Sequence, residues 1–334
     1  MTDKTLTLDE LHRLIVAILI AHGCAEQQAN TVAQFLVAAE ADGQRGHGAS
    51  RVPSYAGQVK SGRVDGHAIP EKIQLSATAA IVDAHNGFAF PALELAQQTL
   101  KENLAHGPVA LVVIRNSHHS GVVGHHVEPL ARDGFIAMSM GNGPKAIAPW
   151  GGNRGLFGTN PIAFAAPRQD NPPLVIDMSL SKVARGWINV AAQADEPIPP
   201  DWAFDVEGNP TTDAKAAMAG TLAPMGDAKG AQLILMVEIL AGALSAGYFG
   251  FESTSLFDSH GEPPRAGQFM LAIDPNPFSE GLFGSRLEDL IAQIEAQPQT
   301  RIPGQRRYAL REAAMRDGIS VPAALYEELL ALRG

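Results

Sequence analysis

The sequence predicts an α/β fold in which helices pack on a mixed sheet, rather than a regular doubly wound sheet. Three observations carry this. Apolar residues recur at helical spacing over the first 40 positions and give way, from Ile73, to short apolar runs bounded by turn residues. Strands and helices then follow one another without strict βαβ alternation. At 334 residues, 46% of them hydrophobic, the chain is long enough to bury a large core.

The elements follow in order. Thr7-Leu8-Asp9-Glu10 forms a capping box, in which threonine and glutamate satisfy amides left open by the first turn. The helix it starts carries Leu8, Leu11, Ile15, Ile18 and Leu19 on one face, and Gly23 ends it. A second helix is predicted over 26–40, with Val32, Phe35, Leu36 and Ala39 aligned. It leads into the glycine-spaced turn Asp42-Gly43-Gln44-Arg45-Gly46-His47-Gly48. Strands are predicted at 80–84, 109–114, 135–140, 162–165, 174–178 and 268–273. Helices are predicted at 91–105, 123–132, 231–246 and 287–295, with continuous helix from Glu312 onward. The Pro-rich stretch Glu196–Asp205 is expected to be a surface excursion.

A formal charge of −10, with scattered Lys and Arg, argues against nucleic acid or an anionic membrane as a partner. The one basic cluster, Arg301 to Arg311, contains Arg306-Arg307, which suits a phosphate. The single Cys24 excludes an internal disulfide and fits a reducing compartment, and its place past a helix end suggests a buried bystander. No signal peptide is evident, and Leu14–Ala21 falls short of the roughly 20 residues that span a bilayer. A cytoplasmic protein is expected.

Several segments could carry chemistry. Gly141-Asn142-Gly143-Pro144-Lys145-Ala146 matches a dinucleotide fingerprint formally. Pro149 stops any helix that would hold a pyrophosphate, and no acid follows at the required distance. His118, His119, His125 and His126 lie close together, but with Glu128 as the only nearby acid they lack a metal-ligand pattern, so no metal is expected. A polar-capped turn would explain them; a cofactor-contacting, proton-transferring turn explains Ser120 and Gly121 as well. In Arg45–Arg51, His47 could move a proton near neutral pH and Arg51 could grip a carboxylate. A solvated loop is the competing reading. Asp177-Met178-Ser179 ends an apolar strand, where ligands meet polar groups, although an Asx turn would look the same. Lys229-Gly230 and Gly304-Gln305-Arg306 offer cations and free amides suited to phosphate, or simply punctuate helix boundaries.

Taken in order, these segments resemble the type 2 malate/L-lactate dehydrogenase family, distinct from the Rossmann lactate dehydrogenases. The matching pieces are His47-Gly48 with Arg51, Asn116–Gly121 and Gly158-Thr159-Asn160-Pro161-Ile162-Ala163. Asp177-Met178-Ser179, Ala184-Arg185-Gly186, Lys229-Gly230 and Arg301–Gly304 complete them. Phe251-Glu252 and Gly267-Gln268-Phe269 are most similar to the branch that reduces Δ1-pyrroline-2-carboxylate and Δ1-piperideine-2-carboxylate.

The resemblance implies a non-Rossmann fold with a largely antiparallel mixed sheet in an NAD(P)-binding domain, residues 76–298. Residues 1–75 with 299–334 would form a helical substrate and dimerisation lobe of a homodimer. It assigns acid/base chemistry to His47 with His119, a carboxylate clamp to Arg51, and cofactor contacts to His118, Ser120, Gly121, Val122, Thr159, Asp177, Met178, Ser179, Lys229, Gly230, Gly304, Gln305 and Arg306. NADPH is the expected cofactor, with NADH the other candidate. In imino-acid reductases a Ser-His pair can work with a later Asp. Here those positions are Gly46 and Trp187, which leaves Ser50 as a substitute. The leading expectation is reduction of a cyclic 2-imino carboxylate to L-proline or L-pipecolate. The alternatives are a malate, lactate or sulfolactate dehydrogenase, and a non-catalytic binding protein.

Overall fold

Thr7 starts the first helix as its spacing predicts. Its Oγ1 accepts from the Glu10 amide at 3.1 Å, and Glu10 Oε2 accepts from the Thr7 amide at 2.8 Å. The buried stripe is Leu11, Leu14, Ile15, Ile18 and Leu19. Each such side chain contributes roughly 1.5–3 kcal/mol on full burial, so Ile15→Asp would unseat the helix.

In this computed structural model, residues 2–333 are described. The chain runs β1 (Lys4–Leu6), α1 (Leu8–Ala21), α2 (Glu26–Ala41), two 3₁₀ turns (Arg45–His47, Ala49–Arg51), α3 (Val52–Ser61), β2 (Glu71–Gln74), β3 (Ala79–Asp83), α4 (Ala89–Leu104) and β4 (Val109–Ser117). It continues through α5 (Gly124–Arg132), β5 (Ile136–Gly141), β6 (Ile162–Ala166), β7 (Leu174–Met178), α6 (Arg185–Ala194), β8 (Ala203–Phe204), α7 (Ala214–Ala219), β9 (Thr221–Leu222) and α8 (Asp227–Glu238). A π-helical turn (Ile239–Ala243), β10 (Ala266–Ile273), α9 (Asn276–Ser279), α10 (Phe283–Glu295), α11 (Gln305–Asp317), β11 (Ile319–Val321) and α12 (Ala323–Arg333) complete it.

The main sheet has the order β2-β3-β4-β10-β5-β6-β7. Only β3 and β4, joined through α4, pair in parallel; the other neighbours are antiparallel. The largely antiparallel mixed sheet is therefore present. Its central strand β10 comes late in the chain and slots between β4 and β5, with Met270 opposite both Val112 and Ser139. No dinucleotide-type helix follows Gly141. The chain runs instead through a bridged loop (Ile147 against Phe157), and the next helix is α6.

Three apolar clusters build the interior. The first joins α1, α2 and α3 to Phe88, Phe90 and the C-terminal Ala314, Ile319, Val321 and Leu329. The second packs α4 and α5, through Leu93, Leu100 and Leu130, on Val112, Ile114 and Met270 of the sheet. The third sets Met140 and Ile162 against Ile188, Ile234 and Val237. Where the π turn crosses β10, Gly267 is obligatory, since a Cβ there would fall 1.7 Å from the Ala241 carbonyl oxygen.

Three local expectations need correction, and one helix was not foreseen. The chain end is not continuous helix: β11 interrupts it and pairs antiparallel with β1, because Ile319 and Val321 alternate inward beside Leu6. The stretch from Glu196 to Asp205 is tethered, not a free excursion, since Ile198 and Ala203 are buried in the third cluster. The helix expected over 231–246 starts earlier, at Asp227, and passes into the π turn at Ile239. Helix α3 escapes the apolar pattern because Pro53 looks like a breaker, whereas in a first turn it is tolerated.

Candidate active site

The turn after α2 is fixed by its own polar groups. Buried Glu40 accepts from the Ala49 amide at 2.8 Å, and burial pushes its carboxyl pKa up. Ser50 Oγ donates to the Arg45 carbonyl at 2.7 Å, and Arg51 Nε donates to the Gly46 carbonyl at 2.7 Å. His47 and Arg51 therefore sit in two consecutive 3₁₀ turns.

Opposite this turn, β4 ends at Ser117 and delivers His118 and His119. His47 Nδ1 lies 3.3 Å from His119 Nε2, with the two rings stacked at 5.2 Å between centroids. The other nitrogen of His119, Nδ1, lies 2.7 Å from the hydroxyl of Tyr55, which is fully buried. His118 faces elsewhere. Gln58 Nε2 donates to the Leu256 and Asp258 carbonyls, which leaves Gln58 Oε1 to accept from His118 Nε2 at 2.9 Å. Arg63, almost wholly buried, anchors the same loop by donating to Ser255, Asp258, Thr254 and Glu262. The loop places Phe257 over the Arg51 guanidinium, 4.2 Å from Cζ to the ring centre.

Burial dominates the electrostatics. It lowers the His47 pKa to about 4, with Arg51 and His125 adding to the shift, and the His118 pKa to about 3, helped by Arg63 and Arg51. His119 is held well below the ordinary histidine range by burial and then by Arg51. The same burial pushes the Tyr55 phenol up and lowers the Arg51 guanidinium from its ordinary value, though it stays a cation. Among the described residues no carboxylate forms a salt bridge with Arg51, and none bonds His47, His119 or Tyr55. The site is a neutral imidazole chain beside an unpaired cation.

A cleft of about 350 Å³ opens at the end of α2, lined by Asp42, Val175, Asp177, Gly304, Arg306 and Arg307 among others. Asp177 Oδ2 accepts from the Gly124 amide at 2.9 Å, and burial raises its pKa. A Cβ at Gly124 would come within 2.7 Å of Arg307 Nη1 and 3.0 Å of Asp177 Oδ2, so only glycine lets these groups converge. Guanidinium groups suit phosphate, and a strand-end carboxylate suits ribose hydroxyls. The residues present thus fit a dinucleotide. One side of the cleft is built on an ionic cluster. Arg311 donates to both oxygens of Asp42 at 2.8 Å and to Glu128 at 2.9 and 3.2 Å, while His125 Nε2 donates to Asp42 at 2.8 Å.

The structure gathers Asp177, Gly304 and Arg306 at this cleft, and His47, Arg51, His118 and His119 around Tyr55 and Gln58. Ser120 accepts from His126 Nε2 through its carbonyl at 2.7 Å, and Gly121 and Val122 are buried beside it. Thr159 and Ser179 lie on adjoining backbone: the Leu180 amide donates to the Thr159 carbonyl, and Ser179 Oγ bonds Ser181 Oγ. Met178 is exposed, and Lys229 and Gly230 fall in the first turn of α8 rather than before it. Gln305 is tied to its own helix start, accepting from the Ile302 amide and donating to Glu295. Ser50 touches neither imidazole. Asn142 and Asn160, from the glycine-rich segments, both donate to buried Glu238 and hold loops together.

Tyr55, Gln58, Arg63, Asp42 and Arg311 were not singled out from the sequence as site residues. Each sits in a helix or helix end whose pattern looks merely structural. A polar side chain on the buried face, as at Gln58 of α3, was the one available signal. Cys24 is buried and free, its thiol pushed up to about 12 by burial.

Such a fold and site define a nicotinamide-dependent oxidoreductase that does not use a Rossmann domain. The chain belongs to the malate/L-lactate dehydrogenase family, whose model matches residues 6–330. It is 45% identical to a (2R)-3-sulfolactate dehydrogenase (NADP(+)) of Chromohalobacter salexigens, over 98% of both chains. It is 39% identical to a Δ1-pyrroline-2-carboxylate/Δ1-piperideine-2-carboxylate reductase of Pseudomonas putida, over 97% of this chain and 96% of that one. The crystal structure of the Δ1-piperideine-2-carboxylate reductase from Pseudomonas syringae superposes with a TM-score of 0.92 at 37% identity, covering 98% of this chain and 99% of that one. Like these relatives, the protein is an NAD(P)-dependent oxidoreductase.

Proposed function

We propose that the protein interconverts a short, anionic 2-hydroxy acid and its 2-oxo acid with NADP(H), as a dehydrogenase of the sulfolactate type. The observation that carries this is Arg51, a half-buried guanidinium without a carboxylate partner, beside imidazoles held neutral. A cyclic imine is protonated as it reacts, and a cationic imine or amine needs a nearby carboxylate or hydroxyl for support. With Gly46 and Trp187 at the relay positions, and Ser50 turned to Arg45, this site supplies the Arg51 cation instead. An anionic substrate is what such a site stabilises.

In this reading Arg51 grips the carboxylate through its guanidinium fork, and His47 exchanges a proton with the substrate oxygen at its free Nε2. The substrate's negative charge offsets that of Arg51. Arg306 and Arg307 hold phosphate and Asp177 the ribose. When bound, the reduced nicotinamide supplies the hydride. The 45% identical relative, named for sulfolactate and NADP(+), supports both the substrate class and the cofactor. The same reading keeps two lobes, residues 1–75 with 299–334 and residues 76–298, supported by a first core that draws on both ends of the chain. It also keeps a homodimer, supported by the exposed apolar side chains Leu235, Met236 and Ile239 on one stretch of helix.

The test is a substrate panel. Purified protein with NADPH is offered 3-sulfopyruvate, oxaloacetate, pyruvate and Δ1-pyrroline-2-carboxylate, and loss of reduced cofactor is followed. Dianionic 2-oxo acids should give the highest kcat/KM. Turnover of the imine with none of the 2-oxo acids would reverse the assignment.

A further inference from the structure

Tyr55 has no place in the roles assigned above, yet its hydroxyl is the inner end of the imidazole chain. It is fully buried, packs edge-on to His118 and His119, and has one hydrogen-bond partner among the described residues, His119 Nδ1 at 2.7 Å. A buried O–H with a single acceptor in reach points its proton there, because the alternative leaves a donor unpaired.

We propose that Tyr55 is a positioning residue that sets the tautomers of both histidines, in place of the relay that Gly46 and Trp187 cannot form. Its phenol donates to His119 Nδ1. His119, neutral, then carries its proton on Nε2 and donates to His47 Nδ1 across the 3.3 Å contact. His47, neutral as well, is left with its proton on Nε2, the nitrogen free of protein partners and able to donate to a carbonyl oxygen. As the Nε2 proton passes to the substrate oxygen, His119 Nε2 returns one to His47 Nδ1 and the Tyr55 phenol returns one to His119 Nδ1. Both imidazoles so stay neutral, and the charge ends on the phenolate, whose charge Arg51 favours. The charged and titratable groups facing His119 are Arg51, His47, His118 and His126. None is a carboxylate, so no acceptor competes to pull the His119 proton onto Nδ1. A carboxylate at the Tyr55 position would impose the opposite tautomer, since it can only accept.

The inference rests on His47 as the acid/base group, but part of its test does not. The ¹⁵N shifts of His119 in the resting enzyme should show Nε2 protonated and Nδ1 bare, with Tyr55→Phe producing a tautomer mixture. That readout needs no turnover. In steady-state reduction of a 2-oxo acid, Tyr55→Phe should lower kcat by roughly 10–100-fold, a fraction of a general-acid contribution, with KM little changed. His119→Gln supplies an amide donor to His47 whatever Tyr55 does. In that background Tyr55→Phe should cost less than about twofold, as expected for residues acting as a unit. A His119 proton found on Nδ1 in the wild type would overturn the proposal. An equal loss of kcat in both backgrounds would also overturn it, marking Tyr55 as structural only. Failure of His47→Ala to slow the reaction, with the tautomers as expected, would instead count against the proposed function.

Discussion

His118–His119 and His125–His126 lie in one short stretch of chain, and the fold puts one member of each pair, His119 and His125, into opposite electrostatic surroundings. His119 ends in a neutral chain of imidazoles and phenol with a lone guanidinium beside it. His125 is embedded among paired charges: Asp42 from the end of α2, Glu128 on its own helix α5, and Arg311 of α11. The Asp42 and Glu128 carboxyls, though burial alone would raise them, are held below the ordinary range by hydrogen bonds from Arg311, with His125 adding to Asp42 and Arg132 to Glu128. Saturated charge joins three helices; unsaturated charge awaits an anion. Burial is common to both, so partners rather than depth separate a staple from a site.

The comparison breaks first at Arg311. Arg311→Ala removes the cation that Asp42 and Glu128 share, leaving Asp42 to His125 and Glu128 to Arg132, and should cost about 3 kcal/mol of unfolding free energy, measured by urea denaturation. Residual activity per folded molecule should stay within an order of magnitude. Next comes Arg51→Gln, which keeps the side chain but removes the fork. It should raise KM for a 2-oxo acid roughly 10²-fold, the loss of a charge-assisted pair, with no change in melting temperature beyond a few degrees. Steady-state kinetics on that variant decides whether the unpaired cation serves the substrate.

A pH series sharpens the contrast. His47, His118 and His126 are depressed to about 4, 3 and 4 by burial in the folded state, against about 6.5 in the unfolded chain. Between those values the unfolded chain binds more protons, so stability is fully present above about pH 6.5 and falls as pH drops toward 4. Asp42 and Glu128, lowered rather than raised by their net surroundings, add a second loss below about pH 4. Urea midpoints that stay flat from pH 7 to 4.5 would contradict the buried neutral imidazoles. The smallest effect is expected at Ser50. Its hydroxyl serves an exposed turn, so Ser50→Ala should change kcat less than about twofold and stability by under about 1 kcal/mol.

Much of the fold was legible because it is local. The capping box at Thr7, the stripe along α1 and the strand at 174–178 follow from spacing alone. What escaped is non-local: β11 reads as helix until its pairing with β1 is known, and no local pattern places β10 between β4 and β5. The site divides in the same way. His47 and Arg51 are visible as chemistry-bearing residues in a glycine-spaced turn. Tyr55 falls in a stretch to which the sequence assigns no element, and only the arrival of β4 brings His119 to its hydroxyl. Ser50 was attractive by sequence proximity, but its rotor is satisfied within its own turn.

The central claim is that the neutral chain around His47 does the chemistry while the charged cluster around His125 holds the fold. The most direct measurement is kcat for 2-oxo acid reduction by His47→Gln, taken at a temperature where circular dichroism shows it fully folded. A fall of roughly 10²-fold or more at unchanged stability is the predicted result. A rate within a factor of three of the wild type would contradict the account.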